Sequence, residues 1–533
     1  MGLRAVVAVG LAVLVSGLGG CGGTAVNRRP PAQAVAAGRL EVVLINGGAR
    51  KRSNVRSHLA HLEGVLALLD AGGVARRDIT VFCADGADPA PDMAERRADR
   101  LPAHWLLDGT RLGRLLSDLV YESSQLEGVR LLPATRGALA TWFHAMHDEL
   151  GPGDTLLLYV TDHGVRRGKE PTVSISLWGE RLALEQLGRW LDRFSPGVRL
   201  VFWMSQCYAG AFNRLIHGNA PRLALRPNRC GVFSTLPDRP AWGCFPESVG
   251  DSPRLGHSLR LLELLRPGMA LGPAHDRVLL ADRSPNVPHR SSQSFARALL
   301  QRRARSRGRP VARLADGLLA RAWSRTDRFR AERRLADGLG AALGLGRVRS
   351  LLAIEEPERS AAELRRRSRA FKRRWRAARR DLSRSAVADF VAAHPEWDAE
   401  HLPALMRAHG LKYGRDMHAE RERRRLAEQL LAELEPWVAE RRGLHQRLDR
   451  LHRRELAARE LHLRQAVRRG MLLRLRLVPV DSPTVAFFSQ SGDGALLARQ
   501  DATKPTIYLD VEQSWQAYAA ATKKERKRVA RKR

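Results

Sequence analysis

Short, almost wholly apolar runs punctuate the first 250 residues: EVVLIN, ITVFC, LLLYV, RLVFWM and CGVF. Each is too short for a helix and too uniformly apolar for a strand with one wet face. They read as strands of a largely parallel sheet covered on both sides, with Leu156–Val160 and Leu200–Met204 as central neighbours. Between them apolar residues recur at helical spacing. Leu59, Leu62, Leu66 and Leu69 form one stripe ending at Gly72-Gly73. Leu139, Phe143, Met146 and Leu150 form a second, ending at Gly151-Pro152-Gly153. Leu184, Leu187, Leu191 and Phe194 form a third, ahead of the second central strand. Strands alternating with helices predict an α/β fold with right-handed crossovers.

After about residue 300 the pattern becomes Arg-rich and strand-poor. Ser360 and Glu363 have the spacing of a capping box, followed by Leu364, Phe371, Trp375, Ala378 and Leu382 on one helical face. A second stripe runs Leu426, Leu430, Leu434, Leu444, Leu448 and Leu451, with Pro436 expected to kink or split it. These stripes predict an antiparallel helical bundle. From Leu473 the runs RLRLVPV, TVAFF and PTIYLDV are β-type, with Gly492-Asp493-Gly494 as a turn, and the closing KKERKRVARKR reads as a solvated tail. The implied organisation is a leader over 1–21, a linker over 22–38, an α/β domain over 39–305, a helical region over 306–472 and a small β segment with a basic tail over 473–533.

The leader has a positive head (Met1–Arg4), an apolar stretch (Ala5–Leu18) too short to span a bilayer, and the closing sequence Leu18-Gly19-Gly20-Cys21. It resembles a bacterial lipoprotein signal, which implies lipidation of Cys21, export, and a membrane-anchored place in the cell envelope. A simple cleavable signal is the competing reading. With 91 Lys and Arg against 56 Asp and Glu, the chain carries a formal charge of +35. The basic residues are mostly Arg spread along helices, without a reader motif or stacking aromatics, which disfavours nucleic acid as a partner. Anionic lipid or an acidic envelope polymer suits them better. An Arg-rich composition without a partner is the alternative.

Candidate chemistry falls at two strand ends. LLLYVTDHG delivers His163 and VRLVFWMSQCYAG delivers Cys207, 44 positions later. In parallel sheets, residues just past the carboxyl ends of central strands face a common crevice. A thiol becomes a nucleophile as thiolate, and a nearby imidazole can take its proton and later protonate a leaving amine. Gly164 and Gly210 suit turns that bring backbone N–H groups near a substrate carbonyl. Neither a Cys-x-x-Cys pair nor a ligand-spaced His pair lies near these motifs, so no metal and no other cofactor is expected. Of the remaining cysteines, Cys230 and Cys244 are the favoured disulfide pair beside the proposed pocket, and Cys83 reads as buried.

The order and spacing of His163 and Cys207, the opening EVVLINGG followed by an N-x-R segment, and GVFSTLPDRPAWGCFPE after the next strand resemble the legumain and caspase type of cysteine peptidase over residues 39 to 300. That resemblance implies a caspase-like sheet. It makes Cys207 the nucleophile, His163 the general base and acid, Asn54 the residue that orients the His, and the N–H groups of Gly164 and Cys207 the oxyanion site. It places Arg56 on the floor of the specificity pocket, with Ser205, Ser234 and Asp238 also binding substrate. Legumains have an acidic residue where this chain has Ser205, so their preference for Asn is not implied. An acidic or amide side chain that meets an unpaired Arg56 is the expectation. The implied function is a lipid-anchored endopeptidase acting on envelope or secreted proteins, or a related transpeptidase, with the helical region as a cap. The alternative is an inactive peptidase-like scaffold whose basic helices tether anionic partners.

Overall fold

The computed structural model describes residues 38–291 with short gaps, parts of 301–453, and the strand pair Ala495–Asp501 and Lys504–Asp510. The leader with Cys21, the runs RLRLVPV and TVAFF, Gly492–Gly494 and the basic tail lie outside the described residues.

The apolar runs form β1 (Leu40–Asn46), β2 (Ile79–Cys83), β6 (Thr155–Val160), β10 (Arg199–Met204) and β11 (Arg229–Phe233). They are joined by β5 (Leu131–Leu132) and β12 (His289–Arg290) in a seven-stranded sheet of order β12-β11-β10-β6-β1-β2-β5. Every pairing is parallel except β11 with β12. β6 and β10 are direct neighbours, with Tyr159 opposite Trp203 and Val160 opposite Met204.

Alternation along the strands separates two cores, as a sheet covered on both faces requires. Val42, Leu44, Leu157, Tyr159, Val201 and Trp203 pack with Leu59, Leu62 and Leu66 of α1 (Arg56–Ala71). Val43, Ile45, Leu156, Leu158, Phe202 and Met204 pack against Leu139 and Phe143 of α3 (Arg136–Glu149) and Leu187 and Leu191 of α4 (Leu184–Leu191). All three helical stripes therefore face the sheet.

Two smaller antiparallel sheets carried no clear sequence signal. One pairs β3 (Met93–Arg96) with β4 (Leu119–Glu122). The other links β7 (Gly164–Arg167), β8 (Thr172–Ser176) and β9 (Arg181–Ala183), and begins immediately after His163. These strands are short and partly exposed, so they lack the continuous apolar run of a buried strand.

Two expectations for the helical region are corrected. The long helix spans Glu355–Ala393, so Ser360 lies within it rather than at its start. The following helix, Met417–Glu440, continues through Pro436, and the break comes at Arg441 before the helix Arg442–Arg450. Pro436 loses only one intrahelical bond near the end of that helix, and burial of Leu430, Leu434 and Val438 holds the turn around it. Leu382, Phe390, Leu430 and Leu448 share a core with Leu106, Leu107, Leu112 and Leu116, and Ser383 Oγ donates to the Leu106 carbonyl at 2.5 Å. The helical region thus completes its core with residues from the α/β segment, so the sequence boundary near 305 is not a boundary between separate cores.

Candidate functional site

Both strand-end loops reach the same crevice. The loop after β6 carries Thr161, Asp162 and His163, and the loop after β10 carries Ser205, Gln206 and Cys207. They touch backbone to backbone: a Cβ on Gly164 would overlap the Cys207 carbonyl, so only glycine fits there.

His163 is fixed from two sides. Its Nε2 donates to the Ser53 carbonyl at 2.7 Å, which leaves Nδ1 as the free ring nitrogen. The ring of His58 meets it edge-on, with centroids 4.9 Å apart. Burial pulls the His163 imidazole below its usual range, opposed by the Ser53 carbonyl, so the ring is neutral near pH 7.

Beneath His163, Asp162 is fully buried and accepts N–H bonds from Gly47 at 2.7 Å, Gly48 at 3.2 Å and His163 itself at 2.5 Å. Burial pushes its carboxyl well up, and these three donors oppose that. The GG of EVVLINGG is thereby explained. Gly48 has φ +63, and a Cβ on it would run into Asn54, so the turn that wraps the carboxylate requires glycine. This clamp holds the loop that presents the Ser53 carbonyl to the imidazole.

Cys207 is half-buried and precedes the 3-10 helix Ala209–His217. Its sulfur accepts the Ala241 N–H at 3.2 Å. The thiol of Cys244 also donates to it, and the N–H groups of Gly164 and Cys207 are aimed at it. Led by the Cys244 hydrogen bond and opposed by burial, these donors bring the Cys207 thiol down to about 7. The partner thiol, Cys244, moves the other way, well above the ordinary range. No hydrogen bond joins the His163 ring to the Cys207 sulfur; Cys244 is the side chain that lies against both. Tyr208, next to the sulfur, has φ +60, and Ala49 in the loop facing His163 has φ +62. Bulky residues in this region are strained, and such strain concentrates at functional sites.

The remaining residues expected in the site fall elsewhere. Asn54 is buried but does not orient His163. Its amide donates to Ser124 Oγ at 3.1 Å and the Asp92 carbonyl at 3.2 Å, and its oxygen accepts from Asn46 at 2.8 Å. The orienting group is the backbone carbonyl of its neighbour, Ser53. Arg56 is not unpaired at a pocket floor: it runs along α1 and holds Glu63 at 2.9 Å and 3.3 Å. Ser205 is buried and hydrogen-bonded to Ser258 of α5 (His257–Leu264), so it ties that helix to the sheet instead of meeting substrate. Ser234 is buried under the loop after β10, with its Oγ 3.4 Å from the Gln206 carbonyl. Asp238 is exposed on the turn whose Arg239 carbonyl accepts the Tyr208 N–H at 2.9 Å. The expected Cys230–Cys244 disulfide is overturned: Cys230 lies inside β11, Cys244 faces Cys207, and no disulfide joins them.

Beside the imidazole opens a cavity of about 680 Å³ lined by Ala49, Arg50, Ser53, His163, Val165, Ser176, Gly179, Glu180 and Arg181. Glu180 is held by Arg136, while the exposed Arg50 and Arg181 side chains have no ion-pair partner among the described residues. The rim is therefore electropositive. Sequence reasoning missed both arginines, because Arg181 enters on β9 and Arg50 lies in a stretch that reads as solvated turn.

The expectation that nothing near the motifs could hold a metal is also corrected. Ligand atoms of His58, His163 and Cys244 lie within 4.8 Å of one another. Their separation in the chain conceals them, and the only local hint was the pair His58 and His61, one turn apart on α1.

The sequence matches no family model and no curated protein. Among solved structures, the crystal structure of protein GSU0716 from Geobacter sulfurreducens is similar at 13% identity, over 47% of this chain and 92% of that one, with a TM-score of 0.27. A likeness at that level carries no argument about chemistry, which rests on the site itself.

Proposed function

We propose that this chain is a cysteine-type endopeptidase on a caspase-like sheet, with Cys207 as nucleophile and His163 as base and acid. The observation that supports it most is geometric: the loops after the adjacent parallel strands β6 and β10 meet backbone to backbone at Gly164 and Cys207, which sets His163 and Cys207 at one end of the sheet, with the Cys207 thiol brought down to about 7. Cys207 Sγ attacks the scissile carbonyl carbon. Nδ1 of His163 takes the Cys207 thiol proton as the sulfur attacks and then gives that same proton to the departing amine. Water then opens the thioester, and an amine in its place would join peptides. The N–H groups of Gly164 and Cys207 are the donors that would bind the oxygen of the tetrahedral intermediate. Substrate entry requires Cys244 to turn out from between the two groups.

Arg50 and Arg181 favour an acidic side chain at the cleavage position, a role that moves to them from Arg56. Burial first, and then the charge of Arg365 on the helix Glu355–Ala393, pull Arg239 down against Asp238, which supports a helical region positioned at the edge of the nucleophile loop. Lipidation of Cys21 and tethering to an anionic envelope belong to the same proposal; intact mass before and after Cys21→Ala tests the lipid.

The reduced, metal-free chain treated with an acidic peptide carrying a thiol-reactive group tests the enzyme directly. An adduct on Cys207 that Cys207→Ala abolishes and His163→Ala slows at least a hundredfold supports the proposal. Absence of an adduct, or one indifferent to His163, overturns it and leaves the scaffold reading.

A further inference from the structure

His58 is the least expected residue of the crevice. It lies on α1 at 1% exposure, and neither ring nitrogen has a hydrogen-bond partner among the described residues. Burying a polar ring without a partner is costly, and nearly all buried polar groups avoid it. The orphaned ring lies edge-on to His163, and its ligand atom falls within 4.8 Å of those of His163 and Cys244.

We propose that His58, His163 and Cys244 form a binding site for a thiophilic divalent transition metal, with zinc as the fitting ion, and that occupation silences the Cys207–His163 pair. Two imidazoles and one thiolate are a zinc-type donor set, in contrast to the oxygen ligands that calcium or magnesium would require. Zinc bonds of about 2.0–2.3 Å place tetrahedral ligand atoms about 3.3–3.8 Å apart, so the three need converge by only about 1 Å. Cys244 also contacts the Cys207 sulfur, so a metal held there would lie close to the proposed nucleophile.

On binding, Cys244 releases its proton to solvent, the S–H···S hydrogen bond is replaced by a metal–sulfur bond, and His163 gives the metal the nitrogen it would use as a base. Metal and catalysis are mutually exclusive because both use that nitrogen. Burial, with His163 and His61 nearby, also holds His58 neutral, the form that ligates. The regulatory half of this inference rests on the peptidase reading; metal binding does not.

The test is titration of the full chain, reduced and metal-free, with Co2+, which reports thiolate ligation by a charge-transfer absorption. One equivalent is expected to saturate the band, and Zn2+ to displace it. Cys244→Ala is expected to remove the band, His58→Ala to weaken binding at least tenfold, and Cys230→Ala to leave both unchanged. A parent chain without a thiolate band, or a band that survives Cys244→Ala, overturns the site even if His58→Ala does not fold. Zinc should also slow thiol-probe labelling of Cys207 at least tenfold, reversibly with a chelator. A band in a chain inert towards peptide probes supports the site and refutes the peptidase; a metal-free active enzyme without a band does the reverse.

Discussion

Replacing Cys244 with alanine probes the electrostatics of the site most directly. In the parent, the Cys244 thiol is the largest influence bringing Cys207 down to about 7. A hydrogen bond to a charged acceptor contributes about 1.5–3 kcal/mol, and one unit of pKa is about 1.4 kcal/mol, so its loss raises Cys207 by about one to two units. The thiolate fraction at pH 7 then falls from about one half to between a tenth and a hundredth. A more basic thiolate is intrinsically more nucleophilic, which recovers about threefold per unit. The net slowing at pH 7 is thus about two- to sixfold, with a higher plateau at alkaline pH. The sign is firm: reactivity rises as pH climbs through the thiol pKa, so the midpoint moves to higher pH. The assay is the rate of Cys207 alkylation against pH, followed by mass spectrometry of the Cys207 peptide in the presence of a chelator. An unmoved midpoint would show that the backbone donors and the 3-10 helix start set the thiolate, and that the contact with Cys244 is incidental.

Other substitutions separate the roles of the neighbouring residues. Gly164→Ala forces a side chain against the Cys207 carbonyl, and we expect at least a tenfold loss of Cys207 labelling with an upward shift of its alkylation midpoint; normal labelling would contradict the backbone contact. Asn54→Ala strands Asn46 and the Asp92 carbonyl, costing about 2–4 kcal/mol in denaturant unfolding while leaving the Cys207 midpoint in place. Reversing both rim charges, Arg50→Glu with Arg181→Glu, should lower kcat/KM for an acidic peptide by about tenfold relative to a neutral one, since an exposed charge contributes up to about 1 kcal/mol. Phe390→Ala, fully buried where the helical region meets residues 106–116, should destabilise by about 3–5 kcal/mol; a negligible shift would mean that core is dispensable.

The sequence by itself determined the layered α/β core and the placement of its two chemical groups. Strands buried on both faces must be apolar throughout, and the helices over them must repeat at 3.6, so β1, β6, β10, α1, α3 and α4 were written in local pattern. His163 and Cys207 were legible for the same reason, since each follows a central strand and all central strands end on one side. Tertiary structure alone decided what surrounds them. The group that orients His163 is a peptide carbonyl, which has no residue identity to read, and so the role fell to Ser53 rather than Asn54. Cys244, His58, Arg50 and Arg181 reach the crevice from separate loops and elements, and no spacing along the chain encodes that approach. Whether a cysteine forms a disulfide, polarises a thiolate or ligates a metal depends on which side chain folding sets against it, and for Cys244 that neighbour is Cys207.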